Sequence, residues 1–450
     1  MVSNPPLLAA CQECGMVSRV PDLLEDQTAS CPRCGYSLVT RIADCHSKVF
    51  SYSLAALILQ SVSCFFPFLA INVNGISQHV SLVDVLTVLF YFNKAALASL
   101  LLLTIIFLPA FYLMGLATLF IMALRSATSQ NYFGNSRWVK RLFRFVFLVK
   151  PWLLVDIFFI GAIVSIIKTM SLSDISIGIA FWTYLVFALL VVKCSRMVDR
   201  YQLCAHLFAP VNTVDVRPGD SHLTGNHLAC HLCNQINPTA NKSIDKLSCC
   251  QRCHSYLHPY DPERSTRLTT AVLIASLIFY FPANLYPIMY TTSFGDTNGS
   301  TIMDGITLLW RLGSYPIALV ILTASIILPL TKMLILAHLL WIQRREEEET
   351  FQVTLERLKL YRFIEIIGRW SMIDVFVVAI LTTLIQFGEL MRITPGRAIF
   401  YFTLVVIFTL LSTYFFDPRT LWRNAPCTFV NNNTTFKDTC DLTKRQSLNG

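Results

Sequence analysis

Long apolar runs dominate the pattern of hydrophobic and polar positions along the chain. Eight of them are each about long enough to cross a hydrocarbon core of roughly 30 Å as a helix. They are Val49–Ile71, Ala95–Leu124, Trp152–Met170, Ile177–Val192, Leu268–Met289, Tyr315–Trp341, Trp370–Leu390 and Ala398–Phe416. Pro, Gly, Lys or Asp interrupts several runs, so one weaker segment could be re-entrant. The pattern predicts an all-α polytopic membrane protein with about eight transmembrane helices.

The composition supports a membrane location. Of the 450 residues, 54% are hydrophobic and 14% are charged, against roughly 25% charged residues in an average soluble domain. Such a chain cannot cover itself with polar surface. Residues 1–10 lack the basic region and apolar run of a secretory signal, so we expect no cleavage there.

Lysine and arginine residues are concentrated in two loops between predicted spans. They are Arg125, Arg137, Lys140, Arg141, Arg144 and Lys150 in one loop, and Arg344, Arg345, Arg357, Lys359 and Arg362 in the other. Because cytoplasmic loops carry the excess of basic residues, we predict both loops, both termini and residues 193–267 inside the cell. The net charge of +9 then indicates contact with anionic lipid headgroups. The sequence has no basic strip interleaved with aromatic residues, so we predict no nucleic-acid partner.

Similar residues recur at an offset close to 219, which indicates an internal duplication. The matching pairs include Phe66-Pro67 with Phe281-Pro282, Asp84 with Asp304, Leu108-Pro109 with Leu328-Pro329, Asp156 with Asp374, and Asp199 with Asp417. Each half has an even number of predicted spans, so two four-helix blocks should have the same orientation as a parallel repeat. Short amphipathic helices are predicted around Asp84 and Asp304 on the outer face.

Two Cys-x-x-Cys motifs precede each membrane block, and four thiolates from two such motifs can converge tetrahedrally on one metal ion. The candidate ligands are Cys11, Cys14, Cys31 and Cys34 in the first half, and Cys230, Cys233, Cys250 and Cys253 in the second. Gly15 and Gly35 follow the second cysteine of their motifs, where a left-handed backbone lets amides turn toward the sulfurs. We therefore predict two small cytoplasmic zinc ribbons of the rubredoxin-like kind, each with one structural Zn²⁺.

Several alternatives for the cysteine sites stay open. Iron in a rubredoxin-like site has the same ligands, and in the second ribbon Cys249 or His254 could take part. A disulfide or a thioredoxin-like motif is disfavoured, because cytoplasmic thiols stay reduced and a redox centre usually has one motif at a helix start. Four cysteine ligands leave no position for water, so we expect a structural role and no enzyme activity.

The predicted domains follow from the duplication. They are a first ribbon at residues 1–45, a first membrane block at 46–200, a second ribbon at 201–265, a second membrane block at 266–418, and a mobile tail at 419–450. Within this plan each half consists of one ribbon followed by one block.

A few charged side chains fall inside the predicted spans, where each costs about 2.5–3.5 kcal/mol near the bilayer centre. Lys332 lies mid-span, too far from either end to reach water easily. Asp156 and Asp374 lie near span starts, where they could cap a helix or supply the counter-charge. Ser371 shares a helix face with Asp374. A pair of Lys332 with Asp374 or Asp156, buried between the halves, would be either a structural lock or a protonation-coupled element.

The second half contains the segments Phe281-Pro282-Ala283-Asn284-Leu285-Tyr286-Pro287-Ile288, Gly313-Ser314-Tyr315-Pro316, Leu328-Pro329-Leu330-Thr331-Lys332 and Gly368-Arg369-Trp370-Ser371-Met372-Ile373-Asp374-Val375-Phe376. With the paired ribbons, they resemble the paraquat-inducible protein A family over nearly the whole chain. The first half departs from this pattern, since Leu153 stands where Ser371 supplies a hydroxyl.

The resemblance implies an inner-membrane protein of a Gram-negative cell with a periplasm-spanning MCE-domain partner. It also implies that the chain passes phospholipid to or from that partner. Lys332, Ser371, Asp374 and Asp156 would then form a polar network that couples ionic or conformational state to lipid passage. No Gly-x-x-x-x-Gly-Lys-[Ser/Thr] motif for ATP is present. The alternatives are a proton-coupled secondary transporter of a small amphiphile and a membrane-bound redox enzyme.

Overall fold

The computed structural model describes most of the chain. The described residues are 7–73, 76–91, 95–129, 136–170, 174–209, 211, 216–223, 227–238, 249–257, 259–293, 296–311, 313, 315–344, 350–384, 386–387 and 391–423. Most of the predicted tail, residues 424–450, therefore lies outside the described residues. The preceding short 3₁₀ helix Pro418–Trp422 is packed, with Trp422 only 1% exposed, so ordered structure continues past the boundary predicted at residue 418.

The first half begins with two hairpins and continues into a helical block. The hairpin strands are β1 (Leu7–Ala10), β2 (Val17–Val20), β3 (Thr28–Ser30) and β4 (Ser37–Thr40). The block contains α1 (Cys45–Phe65), β5 (Leu69–Val73), β6 (Ile76–Val80), α2 (Leu82–Tyr91), α3 (Ala95–Leu101), α4 (Leu108–Ser129), α5 (Arg137–Val149), α6 (Val155–Met170), β7 (Asp174–Ile177), α7 (Ile179–Met197) and α8 (Arg200–Leu207).

The second half follows the same order of elements. Its hairpin is β8 (His227–Ala229) and β9 (Ile236–Pro238). Its block contains α9 (Pro262–Leu285), β10 (Met289–Ser293), β11 (Asp296–Ser300), α10 (Ile302–Arg311), α11 (Tyr315–Leu322), α12 (Leu328–Gln343), α13 (Phe351–Gly368), α14 (Ile373–Leu384), β12 (Gln386–Phe387), β13 (Met391–Pro395) and α15 (Ala398–Phe415).

Among the described residues, 7 helical stretches are long and apolar enough to cross a membrane. They are Cys45–Phe65, Ala98–Ser126, Arg137–Ile167, Ile179–Met197, Pro262–Leu285, Ala318–Gln343 and Ala398–Phe415. The predicted span Trp370–Leu390 corresponds to α14, whose 12 residues are about 18 Å long. The protein is therefore a mostly helical multi-pass membrane protein, with seven spanning candidates in its described part instead of the predicted eight.

Small antiparallel sheets follow the first long helix of each half, where only short helices were predicted. The strand orders are β6-β5-β7 and β11-β10-β13-β12. The predicted spans Val49–Ile71 and Leu268–Met289 extended too far at their ends, because β5 begins at Leu69 and β10 begins at Met289. α1 and α9 end early because the residue before a proline is restricted to extended backbone, as Phe66 and Tyr286 are.

The two sheet regions also correct one of the matched pairs. Pro67 was paired with Pro282, but Pro282 lies inside α9. The position equivalent to Pro67 is Pro287, because the Pro67 carbonyl accepts from the amide of Ala180 and the Pro287 carbonyl accepts from the amide of Ala398, both at 3.3 Å. These bonds join the start of each sheet to the last long helix of its half.

The short helices predicted around Asp84 and Asp304 are α2 and α10. Each begins with a reciprocal cap, in which the aspartate accepts from the amide and hydroxyl of Ser81 or Thr301. The hydrogen bond from the Thr301 amide lowers the pKa of Asp304 below its usual value. The spacing of these residues, and not hydrophobicity alone, therefore fixes where both helices start.

A π-helical turn precedes the Leu-Pro pair in both halves, at Leu102–Phe107 and at Thr323–Ile327. A proline cannot donate a backbone hydrogen bond, and its ring crowds the carbonyl four residues earlier, which the wider turn accommodates. In the first half the side chain of Gln60 donates to the Ile106 carbonyl at 2.7 Å. The kinks predicted at Pro109 and Pro329 thus coincide with wide turns.

The two blocks meet where α6 packs against α14. The Phe158 and Phe376 rings lie edge to face at 5.5 Å between centroids. A Cβ on Gly161 would lie 3.1 Å from the Cβ of Phe376, so an alanine there would require Phe376 to move by a few tenths of an ångström. The core of the molecule therefore includes the equivalent helices of both halves.

We predict that Gly178→Ala and Gly396→Ala each destabilise the protein by about 1–3 kcal/mol, the cost of overpacking. A Cβ would lie 2.2 Å from the Pro67 carbonyl oxygen in the first variant and 2.1 Å from that of Pro287 in the second. Thermal unfolding of the purified protein measures the loss. Gly305→Ala in α10 is the control, because none of the described atoms lies within 4 Å of its added Cβ. Equal unfolding temperatures for all three variants would contradict this prediction.

Candidate metal centres and buried polar residues

Two groups of four cysteines lie at one end of the molecule. Cys11, Cys14, Cys31 and Cys34 form one group, and Cys230, Cys233, Cys250 and Cys253 form the other. Within each group all four sulfurs are buried and lie within 4.8 Å of one another. The shortest separations are 3.4–3.6 Å. Four sulfurs around a metal at about 2.3 Å would be about 3.8 Å apart, so each group can hold one metal ion.

The same backbone turn presents each pair of sulfurs. The residue after the second cysteine has a positive φ in all four motifs, at Gly15, Gly35, Asn234 and His254. Its amide donates to the carbonyl of the first cysteine at 2.9 Å in each case. The conformation predicted for the glycines is confirmed, and the second half adopts it with an asparagine and a histidine. Asparagine tolerates it well.

The second group contains neither Cys249 nor His254. Both residues are exposed, and Cys249 forms a β-bridge with Tyr256 beside the group. The Asn237 amide lies 3.7 Å from the sulfur of Cys250, and its carbonyl oxygen accepts from the amide of Gln251. A polar side chain thus supports this knuckle from inside the domain.

The first cysteine domain (residues 7–40) docks on the membrane block of the second half. Glu13 is 6% exposed and forms a bidentate ion pair with Arg362 of α13. Arg362 also donates to the Cys34 carbonyl at 2.9 Å. The Arg33 guanidinium lies 4.4 Å from the centre of the Trp422 ring. Hydrogen bonding to Glu13 raises the pKa of Arg362 above its ordinary value.

The second cysteine domain (residues 227–257) docks on the membrane block of the first half. Arg144 of α5 donates to the His254 carbonyl, and Arg252 donates to the carbonyl of Cys204 in α8, both at 3.2 Å. Arg200 donates to the His231 carbonyl at 3.1 Å. Each cysteine domain therefore contacts the block that belongs to the other half.

The two cysteine domains also contact each other. The Gln12 amide donates to the His231 carbonyl at 2.7 Å and to the Asn234 side chain at 2.9 Å. The amide of His222, in the segment before the second domain, donates to the Gly15 carbonyl. Burial lowers the pKa of His222 to about 4, so this ring packs against Gly15 in its neutral form.

The sequence analysis missed this crossed docking. A signal was present, because Arg33 matches Arg252 and Arg144 matches Arg362 at the repeat offset. Periodicity and spacing show that such residues recur, but they do not show which half each one contacts. Long-range packing decides that.

Lys332 is buried in α12, with 2% of its surface exposed. Its Nζ lies 2.9 Å from the position that a Cβ on Gly368 would occupy, at the end of α13. Among the described residues its ammonium has no hydrogen-bond partner. The side chains of Ser371 and Asp374, which follow Gly368 by less than two helical turns, lie outside the described residues. Asp156 is half-buried in the first turn of α6.

We predict that the purified protein contains two metal ions per chain, and that Cys31→Ser with Cys34→Ser leaves one. The remaining thiols of that group cannot complete a four-sulfur site. Metal analysis by mass spectrometry gives the count. Cys249→Ser is the control and should keep both ions, because its side chain lies outside the second group. Loss of an ion from the Cys249 variant would place that residue among the ligands.

We predict that Glu13→Gln releases the first cysteine domain from α13. Breaking a largely buried ion pair leaves Arg362 without its counter-charge, at a cost of about 3 kcal/mol or less for this half-exposed guanidinium. Limited proteolysis between the domain and α1 should become faster. Glu25→Gln changes an exposed acid of the same domain, and this variant should be cleaved at the wild-type rate. Identical cleavage of both variants would show that the ion pair does not hold the domain.

Comparison with known proteins identifies relatives over almost the full length. The model of the family described as Paraquat-inducible protein A matches residues 47–207 and 267–425. The chain is 35% identical to the Intermembrane transport protein PqiA of Escherichia coli, covering 92% of this chain and 95% of that protein. No solved structure matches.

Two more distant relatives also cover nearly the whole chain. A Probable intermembrane transport protein of Haemophilus influenzae is 27% identical over 94% of this chain and 97% of its own length. The Lipophilic envelope-spanning tunnel protein A of Escherichia coli is 25% identical over 92% of this chain and 90% of its own length. The family model covers both membrane blocks, and the chain belongs to the paraquat-inducible protein A family.

Proposed function

We propose that this protein is the inner-membrane component of an intermembrane lipid transport system in a Gram-negative cell. In this role it passes phospholipid to or from a periplasm-spanning MCE-domain partner. The observation that carries the proposal is the similarity, over more than 90% of this chain, to proteins named for intermembrane transport and for a lipophilic envelope-spanning tunnel. The MCE partner follows from the family resemblance.

The arrangement of the two ends supports this role. The cysteine domains contact the basic helices α5 and α13 at one end, which is the end that the positive-inside rule assigns to the cytoplasm with both termini. α1 leads away from that end for 21 residues, about 31 Å, and β5 follows it. The sheets therefore lie at the opposite end, where a periplasmic partner would bind.

The cysteine groups fit Zn²⁺ in a structural role. Four buried thiolates complete a tetrahedral shell, so no position is left for water or substrate. Metal binding would contribute folding energy to domains whose described strands are only three or four residues long. Because each domain docks on the opposite block, both ions would stabilise the contact between the halves. Iron bound to the same four cysteines would absorb visible light, whereas zinc would not, so an absorbance spectrum of the purified protein distinguishes the two metals.

Lys332 is the residue through which we expect conformational state to be coupled to lipid passage. A buried ammonium requires a counter-charge or a polar cavity, and Gly368 brings it next to the turn that leads to Ser371 and Asp374. We propose that these three residues, together with Asp156, form the polar network. A proton-coupled transporter of a small amphiphile is the second candidate, because the same buried lysine could exchange a proton.

We predict that Lys332→Ala lowers lipid transfer to the partner by about tenfold or more, since it removes the positive charge of the proposed polar network. A charge whose burial costs a few kcal/mol is expected to be retained for function. Photoactivatable phospholipid cross-linked in cells, followed by purification of the chain and of the MCE partner, measures lipid on each. Tyr112→Phe is the matched control. Tyr112 occupies the equivalent place in α4 and is fully buried, but it carries no charge.

Each proposed role predicts a different set of results in this experiment. Lipid on both proteins in the wild type and loss from the partner in the Lys332 variant is the expected result. Lipid on neither protein would refute the transport role. Lipid cross-linked to the chain only while the proton gradient is maintained, with none on the partner, would support the second candidate.

A further inference from the structure

A cavity of about 360 Å³ with both polar and apolar walls lies at the end of the second block that faces the cysteine domains. Its volume is within the range of roughly 300–1,000 Å³ typical of small-molecule sites. The start of α9, the end of α12 and the 3₁₀ helix Pro418–Trp422 surround it. It is lined by Tyr260, Pro262, Glu263, Thr266, Arg267, Gln343, Arg344, Thr420 and Arg423.

The lining carries a surplus of positive charge. Arg267, Arg344 and Arg423 are exposed at the cavity, and Glu263 is its single acid. Three guanidinium groups around one space present a fork of donors that suits the oxygens of a phosphate. Like charges that line one space repel each other, and an anion bound between them relieves that repulsion.

The floor of the cavity is built from polar side chains. The Thr266 hydroxyl donates to the Gln343 side chain at 3.3 Å, and the Gln343 amide donates to the Thr420 hydroxyl. The Tyr260 hydroxyl is buried in the wall and has no hydrogen-bond partner among the described residues. Burial raises the pKa of Tyr260 to about 12, so this hydroxyl keeps its proton and can donate to a ligand.

The corresponding junction of the first half carries different side chains. There the His46 ring packs against His206 at 4.6 Å and against Phe120 at 5.5 Å between centroids. The cation at this level, Lys48, donates to the Ala43 carbonyl at 2.9 Å. The first half therefore has packed rings at the level where the second half has its group of arginines.

The depth of the cavity favours a lipid over a soluble anion. The candidate span Pro262–Leu285 begins at its wall, and the span Ala318–Gln343 ends there, which is the level of the headgroups. Next to it the chain exposes Leu268, 40% accessible, and Trp341, 55% accessible. Tryptophan is enriched at this interface, and both exposed side chains are next in sequence, or two positions away, from residues that line the cavity.

We propose that this cavity binds the phosphate ester of an anionic phospholipid of the cytoplasmic leaflet. The headgroup would be held by the three arginines and the Tyr260 hydroxyl, while its acyl chains would pass along Leu268 and Trp341. This inference rests on the proposed transport of phospholipid. It adds a second lipid contact on the side away from the partner, and it assigns that contact to the second half alone.

The test uses the full chain in nanodiscs made of equal parts of phosphatidylcholine and phosphatidylglycerol. Native mass spectrometry counts the phosphatidylglycerol that stays bound after the nanodisc is removed. Arg267→Ala with Arg423→Ala should lower this occupancy about thirtyfold, because each arginine that contacts the headgroup contributes about 1 kcal/mol. Arg137→Ala with Arg141→Ala removes the same charge from exposed positions of α5 and should retain the wild-type occupancy.

A second variant distinguishes the loss of a lipid contact from the loss of the folded structure. Tyr260→Phe removes only the hydroxyl and should lower the occupancy about threefold, the effect of one hydrogen bond. Equal losses in the α5 control and the cavity variant, or no loss in either, would overturn the assignment. A second binding measurement adds glycerol phosphate, a soluble phosphate ester, to the protein in detergent. Binding of glycerol phosphate as tight as that of phosphatidylglycerol would overturn the lipid as the source.

The outcomes also separate this inference from the proposed function. If the wild type carries no phospholipid, both fail together. If the wild type and the cavity variant carry equal phosphatidylglycerol, and lipid still reaches the MCE partner, the cavity assignment alone fails.

Discussion

The ion pair between Glu13 and Arg362 joins the beginning of the chain to the second membrane block. It cannot form unless the first cysteine domain is folded, because Glu13 lies between two of the cysteines of one motif and Arg362 also contacts the Cys34 carbonyl. The second cysteine domain makes the reciprocal contact with α5 and α8. Metal sites that hold these small domains together would thus influence how the two membrane blocks pack, without touching any lipid.

Much of the membrane fold follows from hydrophobic length and from the repeat. Seven of the eight predicted spans have a counterpart long enough to cross a membrane in the described part of the chain. The strands were missed because β5 is as apolar as the end of a helix. Only the proline after Phe66, which forces extended backbone, marks where α1 stops. Helix α5 was assigned to a basic loop, since its charges outweigh an apolar face that includes the buried Phe143.

The two groups of four cysteines were predictable because Cys-x-x-Cys spacing encodes a local turn, and the positive φ at Gly15 and Gly35 confirms the predicted turn. Docking was not predictable from the same rules. An arginine such as Arg33 looks like a solvated surface residue until the Trp422 ring, almost 400 positions away, is placed beneath it. The polar network stays a prediction, because burial of Lys332 shows that a partner is needed but not which residue supplies it.

The differences between the halves are more informative about function than their similarities. At equivalent places the first half has the neutral Tyr112 where the second has Lys332, and the rings of His46 and His206 where the second has an arginine-lined cavity. A bundle that needed only stability would gain from replacing a buried lysine with an apolar side chain. The second half keeps both costly features, one inside the membrane and one at its surface. Both lie on α12, Lys332 in the helix and Gln343 at its end. That helix is therefore where an event at the headgroups beside the cavity and an event deep in the bundle can be mechanically linked.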